Sequence, residues 1–203
     1  MHTIERTEIQ NPHLLLLGDA AERLEPVALF IEDHGGAATR LAPGLPGAAP
    51  DTSTIRGAVR AVGAPVSCAI VAETFDPGCE RGLWWQHAEH TSRLIDSLLT
   101  GMANPSNVLL VAFGSSNRRR DRALVRKALD RIVAQFSSHA AADFALDLNV
   151  NAIEVPPGAE RPVLLKRLAG FARHRTAACS DSVLRYEEIT DSSIRCALAN
   201  FEI

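Results

Sequence analysis

Leu148-Asn149-Val150-Asn151-Ala152-Ile153-Glu154-Val155, closed by Pro156-Pro157-Gly158, is the most readable stretch of this chain. Small and β-branched residues run to a Pro-Pro-Gly stop, so 146–155 reads as a strand with two proline-enforced breaks behind it. Upstream, Arg122 to Phe136 reads as a helix, with Val125, Ala128, Leu129, Ile132 and Phe136 on one side. Before it come a strand over Asn107 to Phe113, a long amphipathic helix over Trp84 to Met102, and a strand over Val66 to Ala72. Earlier still, a helix starts at Asp51, a short strand covers Ala37 to Ala42, and a helix runs from Ala20 to His34. The apolar run His13 to Leu17 opens the pattern as a buried strand. Downstream, Arg161 to Cys179 reads as helical, and the last two dozen residues are ambiguous, with one strand near the end. Strands alternating with helices at this spacing predict an α/β fold, a parallel sheet covered on both faces.

The chain has 203 residues, enough for one domain with its own core. Hydrophobic residues make up 46%, which excludes disorder throughout, and a net charge of −3 gives no general attraction to nucleic acid or a membrane surface. Cys68, Cys79, Cys179 and Cys196 form no CxxC pair and no zinc spacing, so they read as reduced thiols of a cytoplasmic protein. Met1 to Gln10 is polar and acidic, unlike a signal peptide. The early apolar run is too short to span a bilayer.

Lys127-Ala128-Leu129-Asp130 leading into Val150-Asn151-Ala152-Ile153 and then Pro157-Gly158 resembles the short-chain dehydrogenase/reductase (SDR) family. In that family a helix beginning Lys-Ala-Ala-Leu precedes a strand reading Val-Asn-Ala-Ile-x-Pro-Gly. The resemblance implies a Rossmann-like, doubly wound parallel sheet, truncated, in a single domain over residues 1–203. It is recognisable over 13–158, while 159–203 diverges.

The family's functional positions are lost one by one. Its glycine-rich turn, where bare backbone approaches the pyrophosphate, is here Leu17-Gly18-Asp19-Ala20-Ala21-Glu22-Arg23-Leu24. Gly18 alone survives, with Glu22 and Leu24 at the places of the other two glycines. This predicts a turn plugged by side chains, with no cofactor. No carboxylate follows the second strand, where Arg40-Leu-Ala-Pro stands. The family's Asn-Asn-Ala-Gly is matched only at Ala72. Its catalytic Ser corresponds to Ser116, but its Tyr and Lys correspond to Arg122 and Arg126, or one position on to Ala123 and Lys127, and neither register supplies a general acid. Arginine stays protonated and cannot shuttle a proton. Losing a general acid alone costs on the order of a hundred- to ten-thousand-fold in rate, so no catalytic residue is expected. The chain's one tyrosine, Tyr186, lies outside this helix.

Other groups are weighed against plainer readings. His87 and His90 sit three apart on a helix with no third ligand in view, so no metal is expected. Ser115, His139 and Asp143 lack the Gly-x-Ser-x-Gly elbow of a hydrolase. Arg118 to Arg122 forms a basic patch at a helix start, where an anionic ligand or an acidic partner surface would fit.

A fold kept without its chemistry implies, through the resemblance, a non-catalytic subunit. It would stabilise or regulate a complete SDR in an NAD-dependent dehydrogenase of the hydroxyacyl-CoA type. In the family the two long helices pair across a two-fold axis, so Trp84, Thr91, Ile95, Leu98, Val125, Leu129, Ile132 and Phe136 are the expected interface. The alternatives are a stand-alone ligand-binding or regulatory module, and a divergent oxidoreductase with a site relocated around His87, Ser116 and Arg122.

Overall fold

The computed structural model describes residues 12–41, 52–61, 65–76, 83–144, 147–173 and 181–200. Six strands form one sheet: β1 (His13–Leu17), β2 (Ala37–Arg40), β3 (Val66–Phe75), β4 (Met102–Gly114), β5 (Leu148–Val155) and β6 (Val183–Arg185). Their order is β2-β1-β3-β4-β5-β6, and every neighbouring pair is parallel. Each crossover is long enough to carry the chain back over a face of the sheet, as parallel pairing requires. The Rossmann-like, doubly wound α/β architecture expected from the sequence is the one observed.

The helices are α1 (Glu25–Asp33), α2 (Thr52–Ala61), α3 (Leu83–Leu98), α4 (Arg119–Phe144), α5 (Arg161–Arg173) and α6 (Ile194–Ala199). Period-two strands distribute their side chains between two cores. Leu15, Leu17, Val71, Leu110 and Ala152 face α3 and α4, while Leu14, Leu16, Ile70, Val111 and Ile153 face α1 and α5. Being buried on both faces is why the strands read as continuous apolar runs. The ambiguous C-terminal segment completes the same molecule. β6 extends the sheet, and Tyr186, Ile189, Ile194 and Leu198 join the second core.

Boundaries differ from expectation where turn chemistry competes with pattern. β3 continues through Glu73 and Thr74 to Phe75, past Ala72 where the apolar run ends. The helix expected to reach Met102 ends at Leu98, and Met102 already belongs to β4. The helix expected from Ala20 is divided: a 3₁₀ turn covers Ala21–Leu24, and α1 follows with Pro26 in its first turn. Proline there forfeits no helical hydrogen bond.

The expected interface is corrected. Thr91, Ile95, Leu98, Val125, Leu129, Ile132 and Phe136 are all buried within the chain itself. All but Thr91 belong to the core between the sheet and α3 and α4. The apolar stripes cover the sheet, so they are not available to a partner. The side chain of Trp84 lies outside the described residues, as do those of His87, His139 and Asp143 and the residues Cys79 and Cys179. Cys68 and Cys196 are free thiols, and burial pushes Cys68 up to about 12.

Candidate functional site

In an open doubly wound sheet, ligands bind beyond the carboxyl ends of the strands, where the winding reverses. Here that point lies between β1 and β3. The turn after β1 is stitched onto the end of β3. Ala20 N–H donates to Ala72 O at 3.0 Å, and Thr74 N–H donates to Asp19 Oδ1 at 2.7 Å. Glu73 is buried at 1% exposure beside this turn. Gly18 has φ of +106°, and a Cβ on it would stand 2.1 Å from Ala72 O and 2.8 Å from Glu73 Oε1. Gly18 is therefore a glycine of close packing between two strand ends. The Ala72 carbonyl and the Glu73 carboxylate stand directly against it.

Of the residues at the lost glycine positions, Glu22 is exposed and Leu24 is buried in the core beneath α1. Asp19 and Ala20 are the residues that tie the turn to β3. Sequence reasoning missed Glu73, which follows the apolar run Val66 to Ala72, because only the fold brings it beside Gly18. At the end of β2, Arg40 is held by α1. Its guanidinium pairs with Glu25 at 2.8 Å and with Glu32 at 2.7 Å, which raises its pKa and lowers that of Glu32.

The positions matching the family's catalytic groups are tied into structure. Ser116 Oγ donates to Asp121 Oδ2 at 2.7 Å and accepts from Arg118 N–H. Arg122 Nε donates to the buried Glu154 Oε1 at 2.6 Å, and its far end reaches Glu187 at 3.4 Å. These carboxylates raise the Arg122 pKa, with the Glu154 hydrogen bond the leading cause. Arg126 donates to Val183 O at 3.2 Å. Of the expected basic patch, Arg118, Arg119 and Arg120 are exposed, but Arg122 is withdrawn into this ion pair. Ser115 Oγ bonds to Asp76 at 2.7 Å. Tyr186 donates its hydroxyl to Glu160 O at 2.9 Å and has a pKa raised chiefly by burial.

One cavity of about 260 Å³ opens one strand along from the closed turn, beyond the ends of β4 and β5. Arg23, Phe113, Pro157, Arg161 and Leu164 are among its walls. Neither arginine was singled out by sequence reasoning: Arg23 lies in the turn that was read for its lost glycines, and Arg161 opens α5 with no motif around it. Among the described residues no group of three or more His, Cys, Asp or Glu side chains is arranged to hold a metal ion.

No family model matches the chain, and no curated protein matches it. Solved structures do. One is a protein from Sinorhizobium meliloti 1021 assigned to the short-chain dehydrogenases/reductases. The match has a TM-score of 0.61 and 13% identity, and covers 88% of this chain and 96% of that one. Another is BdcA (YjgI) from E. coli, with a TM-score of 0.57 and 12% identity, covering 87% of this chain and 98% of that one. At these identities the likeness is one of fold: the chain has an SDR-like, Rossmann-like sheet.

Proposed function

We propose that this chain is a catalytically silent SDR-like protein that acts by binding, as a subunit or regulator, and not by hydride transfer. The closure of the β1–β3 crevice carries this reading. A dinucleotide would have to displace the Ala20–Ala72 hydrogen bond, the Asp19–Thr74 hydrogen bond and the buried Glu73 carboxylate together. The groups at the Ser and Tyr positions support it further, since Ser116 and Arg122 are both engaged with carboxylates. Arginine cannot serve as the proton donor in any case.

A partner, such as a complete SDR in an NAD-dependent hydroxyacyl-CoA dehydrogenase, would meet polar surface. The outward side of α4 carries exposed Arg119, Arg120, Lys127 and Arg131, so an acidic counter-surface suits it and the contact would weaken with salt. The test combines two measurements. Purified chain is mixed with NADH or NADPH and a panel of ketones and 3-oxoacyl-CoA thioesters, and loss of the reduced nicotinamide absorbance is followed. The chain is also co-expressed with an intact SDR and run on a sizing column. No turnover, with salt-sensitive co-elution, is expected. Turnover by the chain alone would refute the silent reading. A monomer that never co-elutes would remove the subunit role and leave a free-standing binding module.

A further inference from the structure

We infer that the cavity beyond β4 and β5 is a binding site for a small organic anion, a carboxylate or phosphate monoester on a compact apolar body. This goes beyond the silent reading and does not depend on it. Three observations carry it.

The first is the placement of charge. Arg23 and Arg161 both line the cavity. Arg161 donates to the carbonyl of Arg23 at 2.8 Å, which draws the two residues together. The Arg23 guanidinium lies over the Phe113 ring, 5.0 Å from its centre, so its head is held by a cation–π contact. Among the described residues no carboxylate pairs with either guanidinium. Arg40 and Arg122, by contrast, are each paired with carboxylates: Arg40 with Glu25 and Glu32, and Arg122 with Glu154. A guanidinium without a carboxylate partner can take an oxyanion bidentately, and two such groups among the described residues line this one cavity.

The second is the wall. Leu24, Val155, Leu164 and the rings of Pro156 and Pro157 give an apolar lining, and prolines offer no N–H donors. An apolar body with one anionic end suits such a cavity better than a free inorganic ion. The third is size. Sites for drug-sized ligands run from roughly 300 to 1,000 Å³, and 260 Å³ falls just below that range. A metabolite-sized acid fits, and a dinucleotide does not.

Gly114 supplies a control. A Cβ there would stand 3.6 Å from Val155 O and 3.9 Å from Pro157 Cδ, ordinary contact with two wall residues. A larger side chain at this position should fill the cavity without straining the backbone. The experiment titrates benzoate, phenyl phosphate and the neutral benzyl alcohol into isotopically labelled protein and follows the amide signals of Gly114, Gly158 and Arg161. Benzoate or phenyl phosphate should shift these signals saturably at millimolar concentration or below, about tenfold tighter than benzyl alcohol; the stronger of the two anions identifies the head group. Arg161→Gln should weaken anion binding about tenfold while leaving benzyl alcohol unchanged, and Gly114→Leu should abolish binding of all three. Circular dichroism establishes that both variants fold, and either folded variant suffices. Equal binding of anions and alcohol, undiminished anion binding in the folded variant, or no saturable shift with any probe would overturn the assignment.

Discussion

Gly18 is the point where the ends of β1 and β3 touch. A methyl group there meets Ala72 O at 2.1 Å, on a backbone with φ of +106°. Gly18→Ala should therefore destabilise the fold by about 2–5 kcal/mol, combining overpacking with left-handed strain. Urea unfolding checks this by a lowered midpoint with unchanged slope. Asn151 is similar. It lies in the segment that carries the family resemblance, and its side chain accepts Ser182 N–H at 3.1 Å, holding the approach to β6. What the sequence could not show at this scale is pairing. Glu154 looks like an isolated acid in a strand until α4 places Arg122 2.6 Å away.

His13 gives a pH prediction. It is 7% exposed, Nε2 lies 3.0 Å from Thr39 Oγ1, and burial lowers its pKa from the usual value. Below pH about 6.5 the unfolded chain takes up a proton that the folded chain resists. Stability contributed by the neutral imidazole is thus present above the unfolded value and is lost as pH falls through the folded one. His13→Gln should flatten this part of the profile, seen as a smaller fall in melting temperature between pH 7 and 5. An unchanged slope in the variant would remove His13 as its source.

At the scale of elements, the amphipathic stripes of α3 and α4 were legible and their destination was not. Periodicity shows that one face of a helix is apolar but cannot say which surface covers it. Here the sheet does, so Ile95, Leu98, Leu129 and Ile132 are core residues. Ile132→Ala should cost about 2–5 kcal/mol, as a core truncation does. Lys127→Ala, on the exposed side, should stay within about 0.5 kcal/mol. Equal and small effects in thermal unfolding would mean that the stripe is not core. Helix ends were the least legible part. The β-rich continuation through Glu73 and Thr74 depends on pairing with Ala112 and Phe113, partners dozens of residues away.

For the molecule as a whole, alternation of short apolar runs with helical stripes was enough to give the parallel sheet, and the family resemblance gave its winding. The order β2-β1-β3-β4-β5-β6 also matches a doubly wound sheet from which the strand beyond β2 is missing among the described residues. The contact between the turn after β1 and the end of β3 was not legible, because it arises from backbone groups on two strands distant in sequence. The open cavity was not legible at all, since Arg23 and Arg161 are 138 positions apart and meet only through the fold.

The central claim is that the chain's own atoms fill the dinucleotide crevice. Thermal unfolding with and without NADH and NADPH tests it most directly. A ligand at about a hundred times its Kd adds about 2.7 kcal/mol to the folded state, worth a rise of about 5–10 °C in a protein of this size. No rise is expected at millimolar nucleotide. A rise of several degrees, eliminated by a bulky residue at Ala20, would contradict it.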